Sequence, residues 1–170
     1  MEQTQSGVFF QFPAVLNKNA GRWTALQVSV LSAIGAVAGF FSINVAVIVI
    51  AGFLMIDFAL RSVFGPRYSP LARAGQAIFR FSRSRFGVAE KPSSVRPARF
   101  AWFCGFTFSS LAVAFIAAQL PVAAVAAIAT LAVFSGLEAG LGFCVACYLF
   151  GWAEYFGLVS PDACVDCHRS

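Results

Sequence analysis

Two long stretches of this chain, residues 23–56 and 100–137, contain no Asp, Glu, Lys or Arg. Water cannot solvate such runs, and a helix rising 1.5 Å per residue needs only about 20 residues to cross a hydrocarbon core of about 30 Å. Each stretch, extended by the few residues that follow it, is long enough to cross twice. Uncharged turns are predicted at Ser42-Ile43-Asn44 and at Gln119-Leu120-Pro121. The expected spans are 24–41, 44–60, 100–120 and 122–148, with a partly inserted hairpin as the alternative for the first two. Lipid offers the backbone no hydrogen bonds, so helices are the economical solution. The predicted fold is all-α, a four-transmembrane-helix bundle. Composition agrees: 59% of residues are hydrophobic and 11% charged, against about 45–50% and 25% in soluble domains.

Charge sets the expected orientation. Nine of the twelve Lys and Arg residues lie in 61–99, between the second and third spans, while the two short turns carry none. Under the positive-inside rule the loop, the tail 1–22 and the tail 153–170 are cytosolic, and the membrane domain is 23–152 in the cytoplasmic (inner) membrane. The first twenty residues lack a charged start followed by a short apolar core, so no cleaved leader is expected. Within the loop, Ser69 and Pro70 suit an N-cap and first helical position. From Leu71 on, Gly75, Ile78, Phe79, Ser82 and Phe86 share one side and Arg73, Arg80 and Arg83 the other. This predicts an amphipathic interfacial helix with its aromatic side in the lipid headgroups. The net charge of +5 thus points to anionic lipid and away from nucleic acid.

Three motifs are distinctive: Asp57-Phe58-Ala59-Leu60-Arg61; Phe64-Gly65-Pro66-Arg67-Tyr68-Ser69-Pro70; and Gly136-Leu137-Glu138 with Gly142-Phe143-Cys144-Val145-Ala146-Cys147. Together they resemble a domain-of-unknown-function family of small four-helix bacterial membrane proteins, over roughly residues 15–150. The resemblance implies an integral membrane protein without an established activity. It also implies a setting similar to thioredoxin and sulfurtransferase systems, hence a soluble partner of either kind.

Five cysteines carry the candidate chemistry. With Cys144 and Cys147 at the cytosolic end of span four, Cys104 at similar depth in span three, and Cys164 and Cys167 in the tail, all five fall on one face. A Cys-x-x-Cys pair in a reducing compartment is catalytic or metal-binding more often than structural. One reading makes Cys144 and Cys147 a redox or sulfur-carrying pair and Cys164 and Cys167 a relay. Against it, a helix C-terminus is the wrong end to stabilise a thiolate. A second reading has the four paired cysteines bind zinc, with ribbon-like spacing. A third leaves them as gap-filling side chains. Cys164 to His168 also fits the c-type haem pattern, but such attachment belongs outside the cytosol and no haem is expected.

Glu138 is the lone carboxylate of the fourth span, a position costing roughly 2.5–3.5 kcal/mol on insertion scales. On a continuous helix it lies about 9 Å deeper than Cys144 and about 120° around from it, so it does not share the pair's face. Asp57 and Arg61 stand at i,i+4 spacing and can pair. Asp57, Arg61, Arg67 and Glu138 together are a candidate polar or anion site, as a small-solute permease would need; a membrane scaffold with incidental cysteines is the bland alternative. Gly136 and Gly140 form a small-xxx-small pattern that lets another helix approach, and a homo-oligomer is compatible with such faces. With a single histidine, His168, no Ser/His/Asp triad can form.

Overall fold

The computed structural model describes residues 15–87 and 92–156. Their elements are strand β1 (Val15–Asn17), helix α1 (Lys18–Phe40), α2 (Asn44–Phe64), α3 (Pro70–Phe86), strand β2 (Pro92–Ser94), α4 (Val95–Ala117), α5 (Pro121–Leu141) and α6 (Val145–Tyr155). Four of the helices are long and apolar enough to cross a membrane. Helix α1 starts earlier than the expected span because Asn17 caps it, its Oδ1 accepting from the Asn19 amide at 3.0 Å.

Helices α1, α2, α4 and α5 close a ring in which α1 packs on α2 and α5, and α4 on α2 and α5. Its interior is built at helical spacing from Val47, Ala51 and Leu54 on α2 and Ala124, Ile128 and Leu131 on α5. The outside is the reverse of a soluble protein. Val30, Ile34 and Val37 on α1 and Val45, Val49 and Ile56 on α2 are exposed. An apolar exterior of this extent is the surface that lipid requires. Since tails are as apolar as these side chains, the helices are held by close packing and by hydrogen bonds between them. Ser29 supplies one, its hydroxyl donating to the Ala132 carbonyl at 2.9 Å. Gly136 permits that approach: a Cβ there would stand 3.1 Å from Ser29 Oγ. Gly140 has no such neighbour, so only the first half of the small-residue pattern serves packing.

The chain is two copies of one unit. Strand, 23-residue helix, three-residue turn and 21-residue helix occur in that order twice, offset by 77 residues. The two strands pair antiparallel with Leu16 opposite Ser93, each the counterpart of the other at that offset. A two-fold relation therefore passes through the ribbon, and every major packing pair has its mate: α1 on α5 with α4 on α2, α1 on α2 with α4 on α5, and α1 on α3 with α4 on α6. The turns match as well. Ser42 and Gln119 each adopt φ 59°, and the next amide in each case reaches back five residues, Ile43 to Ala38 and Leu120 to Phe115. Both second helices end at a left-handed glycine, Gly65 (φ 91°) and Gly142 (φ 71°). The halves run parallel, so the axis stands along the membrane normal.

One expectation is refined and another changes. Helix α3 does turn Leu71, Gly75, Phe79 and Ser82 to one side, but that side packs on α1, where Gly75 meets Thr24. The amphipathic helix is present between spans two and three as expected; one face is received by α1, while Ile78 and Phe81 stay exposed. The helix predicted to run on to 148 stops at Leu141. Gly142 takes the left-handed conformation that only glycine adopts without cost, its amide bonds the Glu138 carbonyl at 3.0 Å, and α6 starts afresh.

If the halves associate through these matched surfaces, two chains divided between residues 87 and 92 and co-expressed should co-purify from membranes through a tag on one of them. Recovery of the tagged half alone would refute the relation as a packing principle.

Candidate functional site

The junction of α2 and α3 is closed by a buried polar knot. Asp57 and Arg61 form an ion pair one helical turn apart. Ser69 sits between them: its hydroxyl donates to Asp57 Oδ1 at 2.6 Å and accepts from Arg61 Nε at 2.9 Å and from the Ala72 amide at 3.0 Å. Asp57 Oδ1 also accepts from the Leu71 amide at 3.2 Å. Two N-terminal amides of α3 are thereby satisfied by an N-cap serine and by a carboxylate at the positive end of the helix dipole. Arg61 lies over the Phe58 ring, 5.1 Å from its centroid. These contacts engage Asp57 Oδ1, while Oδ2 meets Arg61 in the ion pair.

The equivalent corner of the second half is closed differently. Arg22, from α1, donates to the carbonyls of Ala139 at 3.0 and 3.1 Å and of Gly140 at 2.7 Å. A cation there satisfies open C-terminal carbonyls and opposes the dipole. Beyond Gly142 the chain reverses and Cys144 becomes the residue that opens α6. Its carbonyl accepts from the Tyr148 amide at 3.0 Å, and its sulfur from the Cys147 amide at 3.2 Å. Cys144 and Cys147 are joined as a disulfide, with Cα atoms 5.2 Å apart. The pair therefore stands at a helix N-terminus, the end that favours a thiolate, and the objection raised from a continuous fourth helix falls away. Phe150 docks α6 against α4, its ring 5.8 Å from Phe100.

A cavity of about 1100 Å³ opens between the halves. Cys144, Cys147, Cys104, Glu138 and Arg61 all line it. Because the chain breaks at Gly142, the helical-wheel separation of Glu138 from the cysteines does not apply, and carboxylate and sulfurs share one chamber. Glu138 is half-buried and within the fields of Arg61 and Lys18. Cys104 is a free, half-buried thiol. Arg61 and Glu138 are counterparts at the repeat offset, which puts the two charges at matching depth.

Of the candidate residues, then, Cys104, Cys144, Cys147, Arg61 and Glu138 are brought together. Asp57 is spent on Arg61 and Ser69. Arg67 is exposed in the turn before α3 and joins none of them. Cys164, Cys167 and His168 lie outside the described residues, as does the haem-like motif. Among the described residues no three metal-ligating side chains cluster; the zinc alternative needs Cys164 and Cys167, which lie outside them. Arg22 and Ser69 were not foreseen as parts of the corner. The sequence signal for the first was the repeat itself, which pairs Arg22 with Arg99 and Gly65 with Gly142.

Four apolar spans in a ring, with the charged groups among the described residues confined to the interior and to one end, define a multi-pass integral membrane protein. The family described as Domain of unknown function (DUF4395) matches residues 16–154, and the chain belongs to it. No curated protein and no solved structure matches the chain.

The knot makes a quantitative demand. Asp57→Ala, which strands Arg61, should destabilise the fold by about 3–5 kcal/mol, and Ser69→Ala by about 1–3 kcal/mol. Replacing Asp57 and Arg61 together by Leu and Met should cost less than Asp57→Ala alone. Unfolding in detergent micelles, followed by circular dichroism, measures the order.

Proposed function

We propose that this protein is a membrane thiol–disulfide carrier whose working groups are Cys144 and Cys147. The observation that carries the proposal is the position of the pair, at the start of α6 with the Cys147 amide on the Cys144 sulfur, beside a cavity that also exposes Cys104. In the dithiol state the same amide and the α6 dipole stabilise a Cys144 thiolate, and exchange proceeds through the thiolate. That thiolate attacks one sulfur of a partner's disulfide and forms a mixed disulfide, releasing the partner's other sulfur as a thiolate. Cys147 then displaces the partner, leaving the Cys144–Cys147 bond and a reduced partner. The reverse sequence recharges the pair. A soluble thioredoxin-like or sulfurtransferase-like protein is the partner class, and the basic loop sets the sulfurs on the cytosolic side. Cys164 and Cys167 would serve as a relay between pair and partner.

An anion permease draws less support. Asp57 already pairs with Arg61, and Arg67 is exposed in the turn before α3.

Purified protein reduced with a dithiol and treated with mild oxidant should form the Cys144–Cys147 link, mapped by mass spectrometry, and reduced thioredoxin should reopen it. Cys144→Ser should abolish the exchange, while Cys104→Ala should retain it. Equal turnover in Cys144→Ser would overturn the proposal. In spheroplasts first reduced with a permeant dithiol and washed, impermeant maleimide should leave Cys144 and Cys147 unlabelled until the membrane is opened; labelling beforehand would reverse the orientation.

A further inference from the structure

Resting on that reading, we propose that the cavity between the halves is the site of a membrane quinone, the second redox partner of the Cys144–Cys147 pair. A thiol carrier that faces a soluble partner on one side needs somewhere to pass electrons or draw them from. The cavity links the sulfurs at the start of α6 to the buried cluster Val28, Phe58 and Leu131 at the centre of the bundle. It thus reaches from the membrane boundary into the span region. Trp102, Phe108 and Phe134 contribute aromatic wall, and Phe108 meets Phe134 edge to face at 6.1 Å. The aromatic wall receives a flat apolar ring, and Lys18, Arg22, Arg61 and Arg80, which also line the cavity, offer donors to its oxygens. The volume, about 1100 Å³, lies just above the usual range of small-molecule sites, about 300–1,000 Å³. A quinone ring and the first units of its isoprenoid tail fit within it.

The electron count matches. Oxidising the two thiols to one disulfide releases two electrons and two protons; reducing a quinone to its hydroquinone takes up both at the two ring oxygens. No further oxidant is required. Protons must travel with the electrons, and Glu138 is the protonatable carboxyl in the same chamber. It accepts a proton from a cysteine thiol and gives it to a quinone oxygen, returning to its starting state. Its placement opposite Arg61, whose charge Asp57 already offsets, leaves Glu138 as the group that changes protonation without breaking a structural ion pair.

Trp102 and Trp152 line the chamber, so a quinone can be detected independently of turnover. Full-length protein in nanodiscs is titrated with decylubiquinone while tryptophan fluorescence is followed. The same preparation is then reduced with dithiol, freed of reductant, and mixed with decylubiquinone to record quinol formation against thiols lost. Saturable quenching, and one quinol per disulfide formed, are expected. Glu138→Gln should still quench but transfer at least about 100-fold more slowly, the scale of a lost proton relay. Ala101→Phe, which narrows the chamber, should weaken quenching and quinol formation while retaining exchange with thioredoxin, a check that it is folded. Absent quenching and absent quinol in a protein that still exchanges with thioredoxin would overturn the quinone site and leave the carrier reading intact. A pair inert to both partners would overturn both. Full-rate quinol formation in Ala101→Phe would overturn the location, and full-rate transfer in Glu138→Gln the role of the carboxyl.

Discussion

A helix end left open in hydrocarbon exposes amides and carbonyls that lipid cannot satisfy, each at a cost of several kcal/mol. Much of this architecture is a set of answers to that constraint. At the uncharged end, Ser42 and Gln119 accept the left-handed conformation so that the following amides fold back onto the helix. At the other end, α2 and α3 are sealed together by Asp57, Arg61 and Ser69, and α5 is sealed by Arg22 reaching over from α1. Only then does Cys144 appear, doing for α6 what a serine does for α3. The candidate chemistry is a capping position whose oxygen has been replaced by sulfur.

The duplicated plan makes this substitution interpretable. Shared positions are those that packing demands: Ser32 and Ser109, Val47 and Ala124, Leu54 and Leu131 are all buried counterparts. Divergence concentrates after the second helix of each half. One corner carries Gly65-Pro66-Arg67-Tyr68-Ser69-Pro70 and is locked by an ion pair; the other carries Gly142-Phe143-Cys144-Val145-Ala146-Cys147 and borders a chamber.

Much of this was readable beforehand, for physical reasons. Transfer of 20 apolar residues to lipid is so favourable that the spans and their tight turns stand out without context. The pairing of Asp57 with Arg61 follows from helical spacing, and the Ser69-Pro70 cap from local chemistry. The break after Leu141 was not readable, because Gly142 lies in a run already containing Gly136 and Gly140, and only tertiary contact distinguishes a packing glycine from a terminating one. From that miss came the wrong helix end for Cys144 and the wrong azimuth for Glu138. The three-residue strands are too short to register as a pattern. The repeat hid because packing in lipid constrains size more than identity, so alanine answers valine and phenylalanine answers tryptophan across the 77-residue offset.

The ribbon of β1 and β2 has a mechanical consequence. Each strand passes into its helix with no intervening residue, and the register places Leu16 beside Ser93. The entry points of the two hairpins are thereby pinned at one height, so neither hairpin can slide along the bilayer normal without dragging the other. A thinner or thicker bilayer must then be met by tilt, shared by both hairpins about their common axis.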